Sequence, residues 1–530
     1  MTDALAPGLL ARSMGHLVRQ QGARWGARAL LRFEGRTLSF AEMDARTSQV
    51  AHVLRAHGVQ PGDRVGVMIP NGIEFPVCWL AIAKAGAAMV PLNVQYRSHD
   101  LAYTLGDSGA SLVLADPALA PMVREVMPRC PALREVLEVP PGTMHDPAAG
   151  ALAAEVHVAP STFDLEALGP GTLMNIQYTS GTTGDPKGCM LTHEYWLRLS
   201  ERAVRFAGIS PDDVALTAQP FYYMDPQWNV GMCLAAGATL VILPRFSAST
   251  FWRSVRDTGT TFFYVLGTMP VFLLKQPPDP AVERGHRVRF VSCSGIVPQL
   301  HAEYESRWGV PWREAFGMTE TGVDLVVPLE DSASVGSGAC GAPIEGKEAR
   351  VVSPDERALA DGEVGELCVR GAGMMLGYWN KPEATAERLR DGWLHTGDLA
   401  WRDARGYYHL VGRLKDMIRR SGENISAVEV EGVLAEHPAV RGAAVVAVPD
   451  ELRGEEVKAF VQVQPGHAVA PADLVAFARE KLAAFKVPRF VEFVEDFPRT
   501  PSERVEKHKL LAQRADQRRG AWDAMTGNWG

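Results

Sequence analysis

The chain has 530 residues, 46% apolar and 22% charged, and its 54 lysines and arginines against 62 aspartates and glutamates give a formal charge of −8. That length exceeds what one core organises and predicts at least two domains, while the acidic balance excludes a general nucleic-acid binder, whose footprint is basic. Lys84 and Pro91 interrupt the best apolar run before it reaches membrane-spanning length. Cys78, Cys130, Cys189, Cys233, Cys293, Cys340 and Cys368 are scattered singly with no C-x-x-C pair, which predicts buried thiols, no zinc site and a cytoplasmic location.

In chain order, a surface helix is predicted over residues 9–24, where no apolar core with a cleavage site suggests a leader. "SFAEMDARTSQVAHVLRAHG" opens on a capping box, Ser39 with Glu42, and stops at Gly58. "DRVGVMIP" reads as a buried strand, followed by a helix near 72–85 and a strand in "AAMVPL". "GATLVIL", "TFFYVL" and "VRFVSCSG" are further apolar strands. Such alternation predicts an α/β fold with largely parallel sheets covered by helices. From about residue 360 the texture changes to short antiparallel strands linked by Gly and Asp turns, then a small α+β unit. There Ser426 and Glu429 cap one helix, residues 471–484 form another, and "RFVEFVEDF" is a strand. The boundary is expected near Gly412 to Asp416, giving domains 1–414 and 415–530. The closing "AQRADQRRGAWDAMTGNWG" is polar and predicts partial disorder.

"YTSGTTGDPKGCMLTH", Tyr178 to His193, is the strongest local signal. Thr179, Ser180, Gly181, Thr182, Thr183 and Gly184 are small or hydroxylic, so backbone N–H groups can approach an anion, and Lys187 supplies charge. Lys187 is followed by Gly188, so this is not a Walker A loop. Thr192 is placed to cap a helix whose apolar face is Trp196, Leu199, Ala203 and Phe206.

With "YTSGTTGDPKG", "REAFGMTETG" and "GWLHTGDLAWRDARGYYHLVGRLKDMIRRSGENIS" in this order, the chain resembles the adenylate-forming enzymes that include acyl-CoA synthetases. Its "PFYYMDPQWNVGMCLAAGATLVILPRFSASTFW" resembles the crotonobetaine/carnitine–CoA ligases among them. The resemblance implies a large N-terminal domain with a small β-rich subdomain and a small mobile C-terminal domain. It also implies a two-step reaction. A carboxylate attacks the α-phosphate of Mg-ATP to give acyl-adenylate and pyrophosphate; a thiol, usually of coenzyme A, then displaces AMP.

Carried onto this chain, the resemblance gives Thr179 to Gly184 the β- and γ-phosphates, with Lys187 close by. Glu320 would hold Mg²⁺, which favours carboxylate and phosphate oxygens. Thr319 would touch the α-phosphate, and Phe316 and Gly317 would lie beside adenine. Gly295 would form a backbone wall there or simply end a strand. Asp398 would bind both ribose hydroxyls and Arg413 would contact the ribose, unless they are a turn aspartate and a surface arginine. Lys415 would be the hinge, and Gly422 would line the pantetheine tunnel. For the acyl pocket, Tyr223 occupies a position where many relatives have histidine. With Tyr222, Asp225 and Trp228 it could box a quaternary ammonium; alternatively Asp225 caps a helix with Pro226 at N1. Thr268 and Met318 are also candidates to face the acyl group.

One motif departs from the family. Where P-x-T-x-S-G-K-[IV] is expected, "PRTPSERVEKHKL" puts Glu503 and Arg504 in place of glycine and lysine. Three readings follow: Arg504 replaces the adenylation lysine; Lys507 or Lys509 takes over; or adenylation is impaired and the thioester half-reaction is retained. Loading of a separate carrier protein and an inactive nucleotide-binding relative are further alternatives, the latter opposed by the intact Lys187, Glu320, Asp398 and Arg413 set. The acid and the oligomeric state, a homodimer included, are left open by the sequence.

Overall fold

The computed structural model describes residues 11–179, 186–421, 423–499, 505–513 and 516–530. Two compact units are formed, one from the described residues within 11–181, 185–349 and 369–394, the other from those within 350–368 and 395–530.

The first unit contains two helix-covered sheets. One orders its strands Glu135–Glu138, Leu112–Ala115, Arg64–Met68, Ala88–Pro91, Leu173–Thr179 and Lys187–Thr192. All neighbours are parallel except the last two, which form a hairpin. In the other sheet, Ala29–Phe33, Thr239–Ile242, Val214–Thr217, Phe262–Leu266, Phe290–Ser294 and Trp312–Met318 run parallel in that spatial order. Gly322–Val326 and Ala339–Pro343 then add antiparallel. The mostly parallel sheets and their continuous apolar strands match the expectation, because both faces are buried.

Local signals place the helices. Ser39 accepts from the Glu42 N–H while the Glu42 carboxylate accepts from the Ser39 N–H, the predicted capping box, and the helix runs Phe40–Ala56. Thr192 Oγ1 accepts from the Tyr195 N–H at 3.2 Å and starts His193–Ala207, with Trp196, Leu199 and Ala203 buried. The N-terminal helix is shorter than predicted and is not a surface helix. It spans Met14–Trp25 from an N-cap at Ser13, buries Met14, Leu17 and Val18, and its Met14 N–H donates to the buried His193 Nδ1 at 3.2 Å.

The second unit is antiparallel in the main. Trp393–Arg402 pairs with Tyr408–Arg413, and Met417–Arg420 pairs with Glu423–Ser426. The long hairpin Val440–Asp450 with Gly454–Val463 packs under Ala427–Ala435, whose N-cap is Ser426, and under Pro471–Lys481. The closing segment is not disordered where it is described. Trp522–Asp523 and Asn528–Trp529 form a hairpin on Phe490–Phe493. Asp523 is paired with Arg489 at 3.2 Å, and Trp522 packs on the core of the unit. A polar composition concealed these two anchors. All seven cysteines are buried thiols, as expected.

Candidate active site

The hairpin Leu173–Thr179/Lys187–Thr192 presents the phosphate-loop candidates at its tip. Thr179 and Lys187 face each other as the last register pair, and Thr179 Oγ1 reaches the Lys187 carbonyl at 3.4 Å. Ser180, Gly181, Thr182, Thr183 and Gly184 lie outside the described residues. Gly188 is required by close approach: a Cβ there would stand 2.5 Å from Ile176 Cγ2. A segment that the sequence did not single out lies along this hairpin. Met190 and Leu376 exchange bonds with Gly377 and Met190 at 2.9 Å, and the Trp379 N–H donates to the Gly188 carbonyl at 2.8 Å. Tyr378 is thereby set opposite Cys189, with its ring centroid 5.4 Å from Lys187 Nζ.

The predicted "GMTETG" motif turns between Trp312–Met318 and Gly322–Val326. A register shift falls at Phe316/Gly317, and a Cβ on Gly317 would lie 2.2 Å from the Gly322 carbonyl oxygen, so only glycine fits. The turn carries Thr319 and Glu320. Tyr195 Oη donates to the Thr319 carbonyl at 2.9 Å, and Tyr378 Oη donates to Glu320 Oε1 at 2.8 Å. Glu320 is 8% exposed. Burial, reinforced by Glu320 and Cys189, pushes the Tyr378 phenol far above its ordinary value, so it remains a donor. One aromatic ring thus joins the lysine of the first motif to the carboxylate of the second. A buried carboxylate beside a lysine suits a hard divalent cation and the phosphate oxygens it would accompany.

The acyl-pocket candidates rest on a buried polar chain. Trp79 Nε1 donates to Asn175 Oδ1 at 2.9 Å, Asn175 Nδ2 to Gln227 Oε1 at 3.0 Å, and Gln227 Nε2 to the Phe221 carbonyl at 2.9 Å and the Tyr223 carbonyl at 3.1 Å. Gln177 Nε2 donates to the Tyr222 carbonyl at 2.7 Å. The Phe221–Tyr223 loop is therefore fixed from below, with the rings of Tyr222 and Tyr223 edge-on at 4.6 Å. The alternative that Asp225 is an N-cap is corrected. The N-cap of Met224–Ala236 is Tyr223, without a side-chain cap, so Asp225 is the second helical residue and Pro226 the third. Trp228 packs edge-on to Tyr264 at 5.4 Å, and Tyr264 Oη donates to Ser294 Oγ at 2.8 Å. Burial raises the Tyr264 and Tyr195 phenols, and the Asp225 carboxylate raises both further, which places its charge near these rings. Thr268 is exposed, and Phe316 and Met318 are half-buried. Gly295 follows Phe290–Ser294 with φ +90°, and its N–H and that of Ile296 bind the two Glu314 carboxylate oxygens at 2.7 Å.

In the second unit, Asp398 and Arg413 are a cross-strand pair. Arg413 Nε lies 2.7 Å from Asp398 Oδ1, and the Asp398 N–H donates to Thr396 Oγ1 at 3.0 Å. A cluster missed in the sequence supports this turn. Glu366 Oε1 accepts from the Gly397 N–H at 2.9 Å, Glu366 Oε2 lies 2.9 Å from His395 Nδ1, and Cys368 Sγ lies 3.4 Å from the same nitrogen. Single cysteines gave no reason to expect three potential metal ligands together. Lys415 belongs to the turn Leu414–Asp416. Gly422 and Arg504 lie outside the described residues. Both lysines near Arg504 are engaged: Lys507 with Glu431 at 2.7 Å and Asp416 at 4.0 Å, and Lys509 with Glu506 at 2.7 Å.

Comparison with known proteins fits this geometry. A family model described as AMP-binding enzyme matches residues 18–379, and one described as AMP-binding enzyme C-terminal domain matches residues 429–504. The crotonobetaine/carnitine–CoA ligase of Salmonella agona (strain SL483) is 31% identical over 513 residues, covering 92% of this chain and 96% of its own. Among solved structures, ATP-bound MatB from Rhodopseudomonas palustris has a TM-score of 0.86 and 30% identity over 94% of this chain and 98% of its own. The o-succinylbenzoate CoA synthetase of Bacillus subtilis, in complex with an acyl-adenylate intermediate, has a TM-score of 0.83 and 26% identity over 93% and 97%.

Proposed function

The chain belongs to the AMP-binding enzyme family and is an AMP-forming acyl-CoA ligase, and from that premise we propose how its residues divide the work. In the first step a substrate carboxylate oxygen bonds to the α-phosphorus of ATP and the bond to pyrophosphate breaks. In the second, the coenzyme A sulfur bonds to the acyl carbon, AMP leaves, and the thiol proton passes to solvent.

Thr179 and the following small residues through Gly184 cradle the β- and γ-phosphates, with Lys187 as their cation. Glu320 holds Mg²⁺, which when bound neutralises the phosphate charge that repels the incoming carboxylate. Thr319 contacts the α-phosphate; Phe316, Gly317 and Gly295 border adenine; Asp398 takes the ribose hydroxyls, assisted by Arg413. Arg504 is the cation delivered to the carboxylate and α-phosphate. Lys415 is the hinge at the boundary of a mobile C-terminal domain, and Gly422 leaves room for pantetheine. A cytoplasmic location belongs to the same reading, supported by seven buried thiols. The observation that carries the proposal is the Lys187–Tyr378–Glu320 arrangement, because it places an anion-binding lysine and a cation-binding carboxylate on one ring. The reading is tested by AMP formation that requires ATP, a carboxylic acid and coenzyme A together.

For the acid, we propose one bearing a quaternary ammonium, received by Tyr222, Tyr223, Asp225 and Trp228, with Thr268 and Met318 beside the acyl chain. The reading is supported by the Asp225 charge beside buried aromatic rings and by crotonobetaine/carnitine–CoA ligase relatives. In a panel of carnitine-like, aromatic and medium-chain acids, the cationic acids are expected to give the highest kcat/KM. Asp225→Asn is expected to raise the KM of a cationic acid about tenfold, the scale of one partly desolvated charge contact, and to leave a neutral acid unchanged. Equal effects on both acids would remove Asp225 from recognition.

A further inference from the structure

Beneath the Thr319–Glu320 turn lies an ion pair for which the reaction itself has no use. Lys347 Nζ is 3.1 Å from Asp324 Oδ1, and the two side chains are 0% and 1% exposed. Burying two charges costs more than their attraction returns unless the geometry supplies further bonds, and apolar replacements of such pairs are often as stable. These further bonds all go to one place. Lys347 Nζ donates to the Thr321 carbonyl at 2.6 Å, and Thr321 Oγ1 donates to Asp324 Oδ2.

The residue gripped from both sides is the one that follows Glu320. Its neighbours are held as well: the Met318 carbonyl accepts from the Thr321 N–H at 3.2 Å and the Glu320 carbonyl from the Met375 N–H at 2.8 Å, while the Thr319 carbonyl accepts from Tyr195 Oη. Every carbonyl from Met318 to Thr321 therefore has a partner. Only the one at Thr321 relies on a charged donor, and only that donor is tied to a second buried charge. Lys347 is itself set by a turn in which its N–H donates to the Ile344 carbonyl at 2.9 Å, while the Ile344 N–H donates to the Asp324 carbonyl at 2.9 Å.

We infer that Lys347 and Asp324 are positioning residues for adenylation, fixing the turn so that Thr319 and Glu320 meet the phosphates and the metal without reorganisation. The inference rests on the roles proposed for those two residues. It assigns the pair to one half-reaction: the thioester step starts from an adenylate that has already lost pyrophosphate, and so draws less on the turn.

The test measures two activities on the full chain: pyrophosphate release from ATP with an accepted acid, and thioester formation from synthetic acyl-adenylate with coenzyme A. In Lys347→Met, release is expected to fall about tenfold and to need more Mg²⁺ for half-saturation, with the thioester step held within about twofold, as for a small misplacement of groups that must be aligned. Because that variant leaves Asp324 buried alone, Asp324→Asn/Lys347→Met removes both charges and is expected to melt near the parent temperature with the same selective loss. A folded double variant with parental release and Mg²⁺ dependence overturns the proposal. So does an equal fall in both half-reactions, or a double variant that does not fold, each of which would assign the pair to stability alone. Glu320→Gln serves as the control: if it keeps full release, the role given to the turn fails, whereas its loss with unaffected Lys347 variants defeats only the positioning.

Discussion

Glu320→Gln is expected to reduce pyrophosphate release by roughly 10²–10³-fold, the usual cost of losing one preorganised electrostatic contact in a transition state. Glutamine has the same shape and keeps an oxygen to accept from Tyr378, now 2.8 Å from Glu320 Oε1. The Glu320 carbonyl bond to the Met375 N–H does not involve the side chain. What the substitution removes is charge in a site 8% exposed, where water does little to screen it. Thioester formation from a supplied acyl-adenylate should fall far less. Tyr378→Phe preserves the ring beside Lys187 and removes one hydrogen bond to a carboxylate, about 1.5–3 kcal/mol in general, so a smaller loss of about tenfold in release is expected. If Glu320→Gln stays within about threefold of the parent, far short of that electrostatic cost, Glu320 is not the metal carboxylate.

Arg504→Ala is expected to lose release by a similar roughly 10²–10³-fold, because the guanidinium is the cation proposed to bridge the attacking carboxylate and the α-phosphate. Lys507→Ala should behave differently. Lys507 sits 2.7 Å from Glu431, and the two side chains are 17% and 19% exposed. Burial raises the Glu431 carboxyl, and Lys507 opposes that rise. Removing the lysine strands a largely buried carboxylate, so a stability loss of about 1–3 kcal/mol is expected, with release nearly parental. Arg504→Lys should retain most activity, since the charge is kept. Parental release in Arg504→Ala together with its loss in a folded Lys507→Ala would transfer the role to Lys507. A parent enzyme that releases no pyrophosphate yet converts acyl-adenylate and coenzyme A to thioester would establish the specialised thioester ligase instead.

What could be read in advance follows the range of the interactions. The capping residues Ser39, Thr192 and Ser426 act on N–H groups three residues away, and each starts its helix as predicted. The Thr319–Glu320 turn and the Asp398–Arg413 strands were legible because each motif is short and contiguous. Tyr378 was not, since it meets Glu320 across 58 positions of sequence and nothing in "LGYWN" announces that contact. The same holds for Lys347 with Asp324 and for Glu366 with His395, whose partners are chosen by strand register rather than by neighbours. Asp225 was misread by one local rule, capping, because the chain starts that helix at Met224. The closing hairpin was misread because Trp522 and Asp523 take their support from Arg489 and a distant core.

The burial of every cysteine has an experimental consequence. Only thiolates react readily with alkylating reagents, and burial raises the thiols of Cys78, Cys189, Cys233 and Cys293 far above the ordinary cysteine value. The native chain should therefore be nearly silent to such reagents, and each label that does appear times the opening of its own segment. Cys189 lies directly opposite Tyr378. Its labelling rate with and without ATP is thus a clock, already built into the chain, for how firmly the nucleotide closes the strand edge that carries the lysine.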